Sequence, residues 1–185
     1  GLSLRYELPE SLPQPPFVLA SNHYSHFDPP AIGSVIGTPI RFLALDELST
    51  ASRFLARFLP TVGVVTVSRQ RSSIGGVRTA LETLEAGEAV GVFPEGIRVT
   101  HWGERIPKRG AAWLAIQARV ALVPVAVIGS GRVFGVDNRL HRAPIRVVIG
   151  PPLTLEKGDP SELTRRWADW VEGQVKRYPD SEVTG

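Results

Sequence analysis

The sequence has no cysteine among its 185 residues, and lysine is scarce. Without cysteine there are no disulfide bonds, thiolate metal sites or cysteine nucleophile. Three of the 21 basic residues are lysines and the rest are arginines, whose planar side chains suit phosphate and carboxylate groups. The formal net charge is +3. Because no basic run alternates with aromatic residues, we expect no nucleic-acid partner.

The sequence also lacks a long apolar run. The best window, residues 111–129, contains Gln117, Arg119 and Pro124, so it predicts a helix followed by a buried strand and not a membrane span. No signal peptide is visible. The first residue is Gly1, which leaves room for an anchor upstream of this sequence.

The composition is that of one globular domain, since 43% of the residues are hydrophobic and 21% are charged. Helical patterns cover residues 73–86 and 109–118, and a C-terminal helix is expected at about residues 160–178, opened by Asp159 and Pro160. Between them lie short apolar runs that predict buried strands: 17–20, 40–45, 63–67, 89–93, 121–128 and 145–149.

Strands that alternate with helices predict an α/β fold, a single-domain sandwich with a largely parallel, mixed sheet flanked by helices. We expect one domain over residues 1–185, with its core at about residues 17–150.

The pair with the most chemical content is His23 and Asp28, which follow the strand predicted at residues 17–20. A neutral imidazole accepts a proton from a hydroxyl, and a carboxylate at its other nitrogen fixes its tautomer. The alternative is that Asp28, followed by Pro29, caps the next helix while His23 is a polar strand end. His26 is close enough in sequence to join His23 and Asp28 in a metal site. Two histidines and one aspartate would be one ligand short, so we expect no metal.

Two further clusters follow predicted strands. Glu95, Gly96 and Arg98 come after Phe93, and Arg69 comes after the strand at residues 63–67. The arginines suit a bound phosphate. The alternatives are a turn with a solvated Glu–Arg pair and a solvated arginine loop.

Taken in order, these clusters resemble the glycerolipid acyltransferases of the 1-acylglycerol-3-phosphate (lysophosphatidic acid) type. Residues 22–28 look like the first motif of that family, a histidine and an aspartate with four residues between them. Residues 63–69, 93–98 and 123–125 look like the second, third and fourth motifs. Two positions depart from the family pattern: Val99 stands where serine is usual and Leu45 where lysine is common.

The resemblance implies transfer of a fatty acyl group from acyl-CoA or acyl carrier protein to a lipid hydroxyl, with no cofactor. His23 would be the base and Asp28 its orienting partner. Arg69, Arg98 and Lys108 would bind the phosphate of a lysophospholipid acceptor, and Glu95 with Gly96 would serve the acceptor site.

The substrates imply work at the cytoplasmic face of a membrane, through peripheral binding or an anchor. Residues 49–59 predict an amphipathic helix that either lies in the bilayer interface or packs on the sheet. Two other functions stay open: a lipid-binding or regulatory module with little turnover, and a thioester hydrolase.

Overall fold

The computed structural model describes residues 3–44, 64–68, 73–133, 141, 143–155 and 157–179. These residues form one sheet and five helices. The strands are β1 (Ser3–Glu7), β2 (Phe17–Ser21), β3 (Ile40–Ala44), β4 (Val64–Ser68), β5 (Ala89–Val92), β6 (Ala121–Ile128) and β7 (Pro144–Ile149). The helices are α1 (Asp28–Ile36), α2 (Ser73–Glu85), α3 (Gly110–Ala118), α4 (Ser130–Val133) and α5 (Pro160–Arg177).

The seven strands lie in the order β1-β7-β6-β2-β5-β3-β4. Every neighbouring pair is parallel except β6 and β7. The expected mixed, largely parallel sheet is therefore confirmed. Its first buried strand, β2, is central, and the chain passes over it from β5 to β6. Such a change of direction opens a crevice at the carboxyl ends of the strands.

Alternate residues of β2 face two different helix layers, as the two-residue period of a strand requires. Phe17 and Leu19 pack on the side of α1, whereas Val18 and Ala20 pack on the side of α2, α3 and α5. All four are buried. This double burial explains why β2 is a continuous apolar run. It also fixes both faces of the strand that leads to His23.

Helix α5 is tied to the centre of the sheet by Trp167, which is 1% exposed. Its indole Nε1–H donates to the carbonyl of Ala20 at 2.8 Å. Leu163, Val171 and Val175 complete the buried stripe of the helix. Truncation of such a buried tryptophan to alanine costs about 3–5 kcal/mol. The helix expected at about residues 160–178 therefore packs into the buried core with β2.

Strand β1 was not predicted, because its residues are mostly exposed and give no buried run. It pairs with β7 at the edge of the sheet. Glu7 at its end accepts hydrogen bonds from Arg146 at 3.0 Å and Arg177 at 3.3 Å, and another from Tyr178. Side-chain contacts distant in sequence therefore hold this strand.

The start of α1 differs from the alternative interpretation, in which Asp28 caps the helix. The N-cap is Phe27, Asp28 is the first helical residue, and no side chain caps the helix. The Asp28 carboxylate is turned back to the preceding loop, where it accepts other hydrogen bonds. Asp159 does act as a cap at α5, accepting from the Ser161 N–H at 2.8 Å.

Candidate active site

The site begins where β2 ends, and Asn22 fixes that end. Its side-chain amide donates to the Val127 carbonyl at 2.7 Å, and its side-chain oxygen accepts from the Val127 N–H at 2.7 Å. Asn22 is completely buried. It thus replaces main-chain pairing with β6 for one residue and sets the position from which His23 leaves the sheet. Asn22 was not among the predicted site residues. Its position between the predicted strand and the histidine was the feature of the sequence that could have indicated its role.

His23 and Asp28 are in direct contact: Nδ1 of the imidazole lies 2.8 Å from Oδ2 of the carboxylate. The Asp28 side chain is fully buried, whereas the His23 side chain is 13% exposed. With Asp28 ionised, Nδ1–H donates to it and the lone pair remains on Nε2. The pair therefore has the geometry of a base held by a carboxylate.

Asp28 also organises the turn between the two residues. Oδ2 accepts from the main-chain N–H groups of Tyr24 at 2.7 Å and Ser25 at 2.8 Å. These two bonds bend the chain so that a residue five positions on meets His23. They give the buried carboxylate hydrogen-bond partners in place of water. They also occupy two amides near the imidazole, so an oxyanion would need other donors.

The imidazole of His23 is held on its face by Phe93. The ring centroids are 4.0 Å apart and the planes meet at 16°. Phe93 in turn stacks on Phe42, with centroids 5.4 Å apart. Gly91 makes room for this second ring, because a Cβ there would lie 2.5 Å from Phe42 Cδ1.

Glu95 is buried close to this pair, with 3% of the residue exposed. Neither carboxylate oxygen has a hydrogen-bond partner within the described residues. Burial raises the pKa of the Glu95 carboxyl to about 7, and the negative charge of Asp28 adds to the rise, while the main-chain amides of Glu95 and His23 oppose it. The alternative of a solvated Glu–Arg pair is therefore wrong for Glu95.

Gly96 and Lys108 lie together beside Glu95. Gly96 has a φ of +76°, and a Cβ there would be 2.9 Å from Lys108 Nζ. The Lys108 N–H donates to the Pro94 carbonyl at 2.8 Å. The positive φ favours glycine at this position. An anion that enters next to Glu95 would meet this lysine.

The remaining candidates differ in what the structure gives. Arg98 is exposed on the loop after β5. Val99, at the position where the family usually has serine, is 4% exposed, and its N–H donates to the His23 carbonyl at 2.8 Å. That contact needs no particular side chain, so valine preserves it. Arg69 and the segment 49–59 lie outside the described residues.

The segment that resembles the fourth motif, residues 123–125, lies in the core and not on a surface. Val123 and Val125 are fully buried, on the face of the sheet that packs against α1. Pro124 accepts from the Gly150 N–H at 2.8 Å. Its role in the described structure is therefore packing.

Across the described ranges, no group of three or more His, Asp or Glu side chains is arranged to hold a metal ion. In the same residues, no helix has both the length and the apolar character needed to cross a membrane.

Comparison with known proteins gives a consistent class. The family model described as Acyltransferase matches residues 3–128. The chain therefore belongs to the acyltransferase family.

Similar curated proteins are 1-acyl-sn-glycerol-3-phosphate acyltransferases. The one from Bacillus subtilis is 30% identical over 141 residues, which cover 74% of this chain and 66% of that protein. The alpha form from Homo sapiens is 33% identical over 158 residues, which cover 82% of this chain and 54% of that protein. The chain thus spans between about half and two thirds of the length of these relatives.

The fold is that of a solved relative, the 1-acyl-sn-glycerophosphate (LPA) acyltransferase PlsC from Thermotoga maritima. The TM-score is 0.73 at 20% sequence identity, covering 96% of this chain and 73% of that one. This likeness supports the α/β fold.

Proposed function

We propose that this protein transfers a fatty acyl group from an acyl thioester to a hydroxyl of a phosphate-bearing lipid, with a lysophospholipid such as lysophosphatidic acid as the acceptor. The observation that carries the proposal is the contact between His23 Nδ1 and Asp28 Oδ2 at 2.8 Å, which leaves Nε2 as a base at a partly open face. The named activity of the similar curated proteins supports the substrate class.

In the proposed reaction, Nε2 of His23 takes the proton of the acceptor hydroxyl as its oxygen attacks the thioester carbonyl carbon. The tetrahedral intermediate then collapses and the C–S bond breaks. The imidazolium, stabilised by Asp28, gives its proton to the departing thiolate. The products are the ester and the free thiol. No covalent acyl-enzyme is required, which fits a chain without cysteine.

The acceptor would lie between the imidazole and the cations of the loop after β5. Lys108 and Arg98 are exposed there and suit its phosphate. Arg69, which directly follows β4, would add a third charge. Glu95, buried without a hydrogen bond of its own, offers acceptor oxygens or a proton to the lipid hydroxyls.

The donor would be acyl-CoA or acyl carrier protein, and no cofactor takes part. The site of action would be the cytoplasmic face of a membrane, where a lysophospholipid acceptor lies. A serine nucleophile, one of the routes to hydrolysis, is disfavoured by the burial of the serine between His23 and Asp28. Ser25 is 2% exposed, and its Oγ accepts from the Phe27 N–H at 3.2 Å.

The test is release of free CoA from acyl-CoA by the purified protein, with and without a panel of lysophospholipids. Release that depends on an acceptor supports the proposal. Release without an acceptor indicates a hydrolase, and lipid binding without release indicates a binding module. The variant His23→Ala should lose at least about a hundredfold in rate. The matched control His141→Ala removes an exposed imidazole and should retain the wild-type rate.

A further inference from the structure

The loop between β5 and α3, residues 93–109, is exposed yet firmly held, and we call it the β5–α3 loop. Its first half is bound to the active site, because the Val99 N–H donates to the His23 carbonyl at 2.8 Å. Its two ends are joined by the bond from Lys108 N–H to the Pro94 carbonyl at 2.8 Å. Its middle is closed by Glu104, which accepts from the main-chain N–H of Thr100 at 2.6 Å and its hydroxyl at 2.8 Å.

This ordered loop presents apolar side chains to the solvent. Ile106 is 91% exposed and Ile97 is 40% exposed. Single exposed apolar residues are common on protein surfaces. Here, however, the contact between the ends of the loop brings the segment that carries Ile106 alongside the segment that carries Ile97.

The same loop also carries positive charge. Arg98, Arg105 and Lys108 are all exposed on the same loop. The loop's exposed acid, Glu104, is directed to Thr100 by the two bonds given above. The β5–α3 loop therefore combines exposed apolar side chains with exposed cations, a composition typical of segments that bind the interface of an anionic bilayer.

We infer that the β5–α3 loop docks on an anionic lipid surface, with Ile106 inserted at the headgroup boundary and the arginines on the phosphates. The inference deepens the proposed function, because it rests on an acceptor that is a membrane lipid. It also orients the active site toward the membrane. Because the His23 carbonyl is hydrogen-bonded to the docked loop, a lipid would reach His23 from the bilayer without leaving the interface.

The test is co-sedimentation of the full chain with vesicles, which needs no turnover. Wild type should bind vesicles of phosphatidylcholine mixed with phosphatidylglycerol more tightly than vesicles of phosphatidylcholine alone, and less tightly as salt is added. Ile106→Ser should weaken binding about tenfold, as loss of a buried aliphatic side chain predicts. Arg105→Gln should weaken binding to the anionic vesicles about fivefold.

Two matched variants control the test. Val77→Ser removes another exposed aliphatic side chain, on α2, and Arg165→Gln removes another exposed arginine, on α5. Both should bind vesicles as wild type does. Equal binding by Ile106→Ser and wild type, or equal losses in the controls, would overturn the inference.

A separate measurement distinguishes membrane docking from binding of a protein partner and from the acyl-transfer reaction. With acyl-CoA and a water-soluble short-chain lysophospholipid, without vesicles, Ile106→Ser should release CoA at the wild-type rate. If Ile106→Ser binds vesicles as wild type does but turns over more slowly with an acyl carrier protein donor, the loop binds the carrier protein and the inference is wrong. If wild type binds vesicles through Ile106 but transfers no acyl group, the proposed function fails and the docking surface stands.

Discussion

The imidazole of His23 lies almost flat against the ring of Phe93, 4.0 Å away and 16° from parallel. The histidine is therefore held at its edge by a carboxylate and on its face by an aromatic ring. Because Phe93 follows β5 and His23 follows β2, this contact joins two of the sequence motifs directly. Four predictions follow from the contacts around it.

Replacing Phe93 by leucine should lower kcat by up to about tenfold and leave the KM values nearly unchanged, since the stack orients the base and is worth about 0.5–1.5 kcal/mol. Steady-state kinetics with varied donor and acceptor would measure this split. Phe93→Tyr keeps the ring and should restore most of kcat. A leucine variant with raised KM and unchanged kcat would show that Phe93 serves substrate binding.

Asp28→Asn should lower kcat by at least about a hundredfold, because the imidazolium loses its compensating charge. The same change should also destabilise the fold by about 1–3 kcal/mol, since the Tyr24 and Ser25 amides lose a charged acceptor. Denaturant unfolding and kcat would be measured on one preparation. A variant that is less stable yet fully active would limit Asp28 to the turn.

The Glu95 carboxyl, with its pKa raised from 4.5 to about 7, should make stability depend on pH. At low pH the carboxyl is protonated in both the folded and the unfolded chain. As pH rises from about 4.5 to 7, the unfolded chain loses the proton first, so the free energy of unfolding should fall. The full loss is on the order of 3 kcal/mol, at about 1.4 kcal/mol per pH unit.

Urea unfolding of wild type and Glu95→Gln at pH values on both sides of this window would measure the effect. The glutamine variant should lack this decline and be the more stable protein in alkaline solution. Glu85→Gln, which alters an exposed carboxyl on α2, should keep the wild-type profile. A decline of the same size in Glu95→Gln would contradict the prediction.

Asn22→Ala should destabilise the protein by about 2 kcal/mol or more, because it leaves the Val127 N–H and carbonyl buried without partners. It should also lower kcat, since His23 departs from the position that Asn22 fixes. Thermal unfolding and CoA release of Asn22→Ala would be compared with those of Asn22→Asp, which keeps an acceptor oxygen for the Val127 N–H. Unchanged stability in the alanine variant would mean that other groups satisfy Val127.

The central strands of the sheet could be predicted from the sequence because they are buried. Strand β2 is covered on both faces, so its apolar run could be recognised, and its neighbours β5 and β6 could be recognised likewise. Strand β1 could not, because Leu4 and Tyr6 are exposed and its anchoring partners, Arg146 and Tyr178, are distant in sequence.

The site shows the same division. The contact of His23 with Asp28 was expected from their order in the chain and from a family resemblance. The stacking of His23 on Phe93 and the hydrogen bonds between Asn22 and Val127 join segments that are distant in sequence. They could not be predicted from spacing along the chain. The burial of Glu95 was missed because Pro-Glu-Gly after a strand is equally typical of an exposed turn.

The indole of Trp167 carries a consequence for where this domain ends. The family model stops at residue 128, whereas the Trp167 Nε1–H donates to the carbonyl of Ala20, three residues before His23. A chain shortened to the matched region would expose the underside of β2 and leave that carbonyl unpaired. The region matched by the family model is therefore smaller than the packed core, because α5 is bonded to the strand that leads to His23.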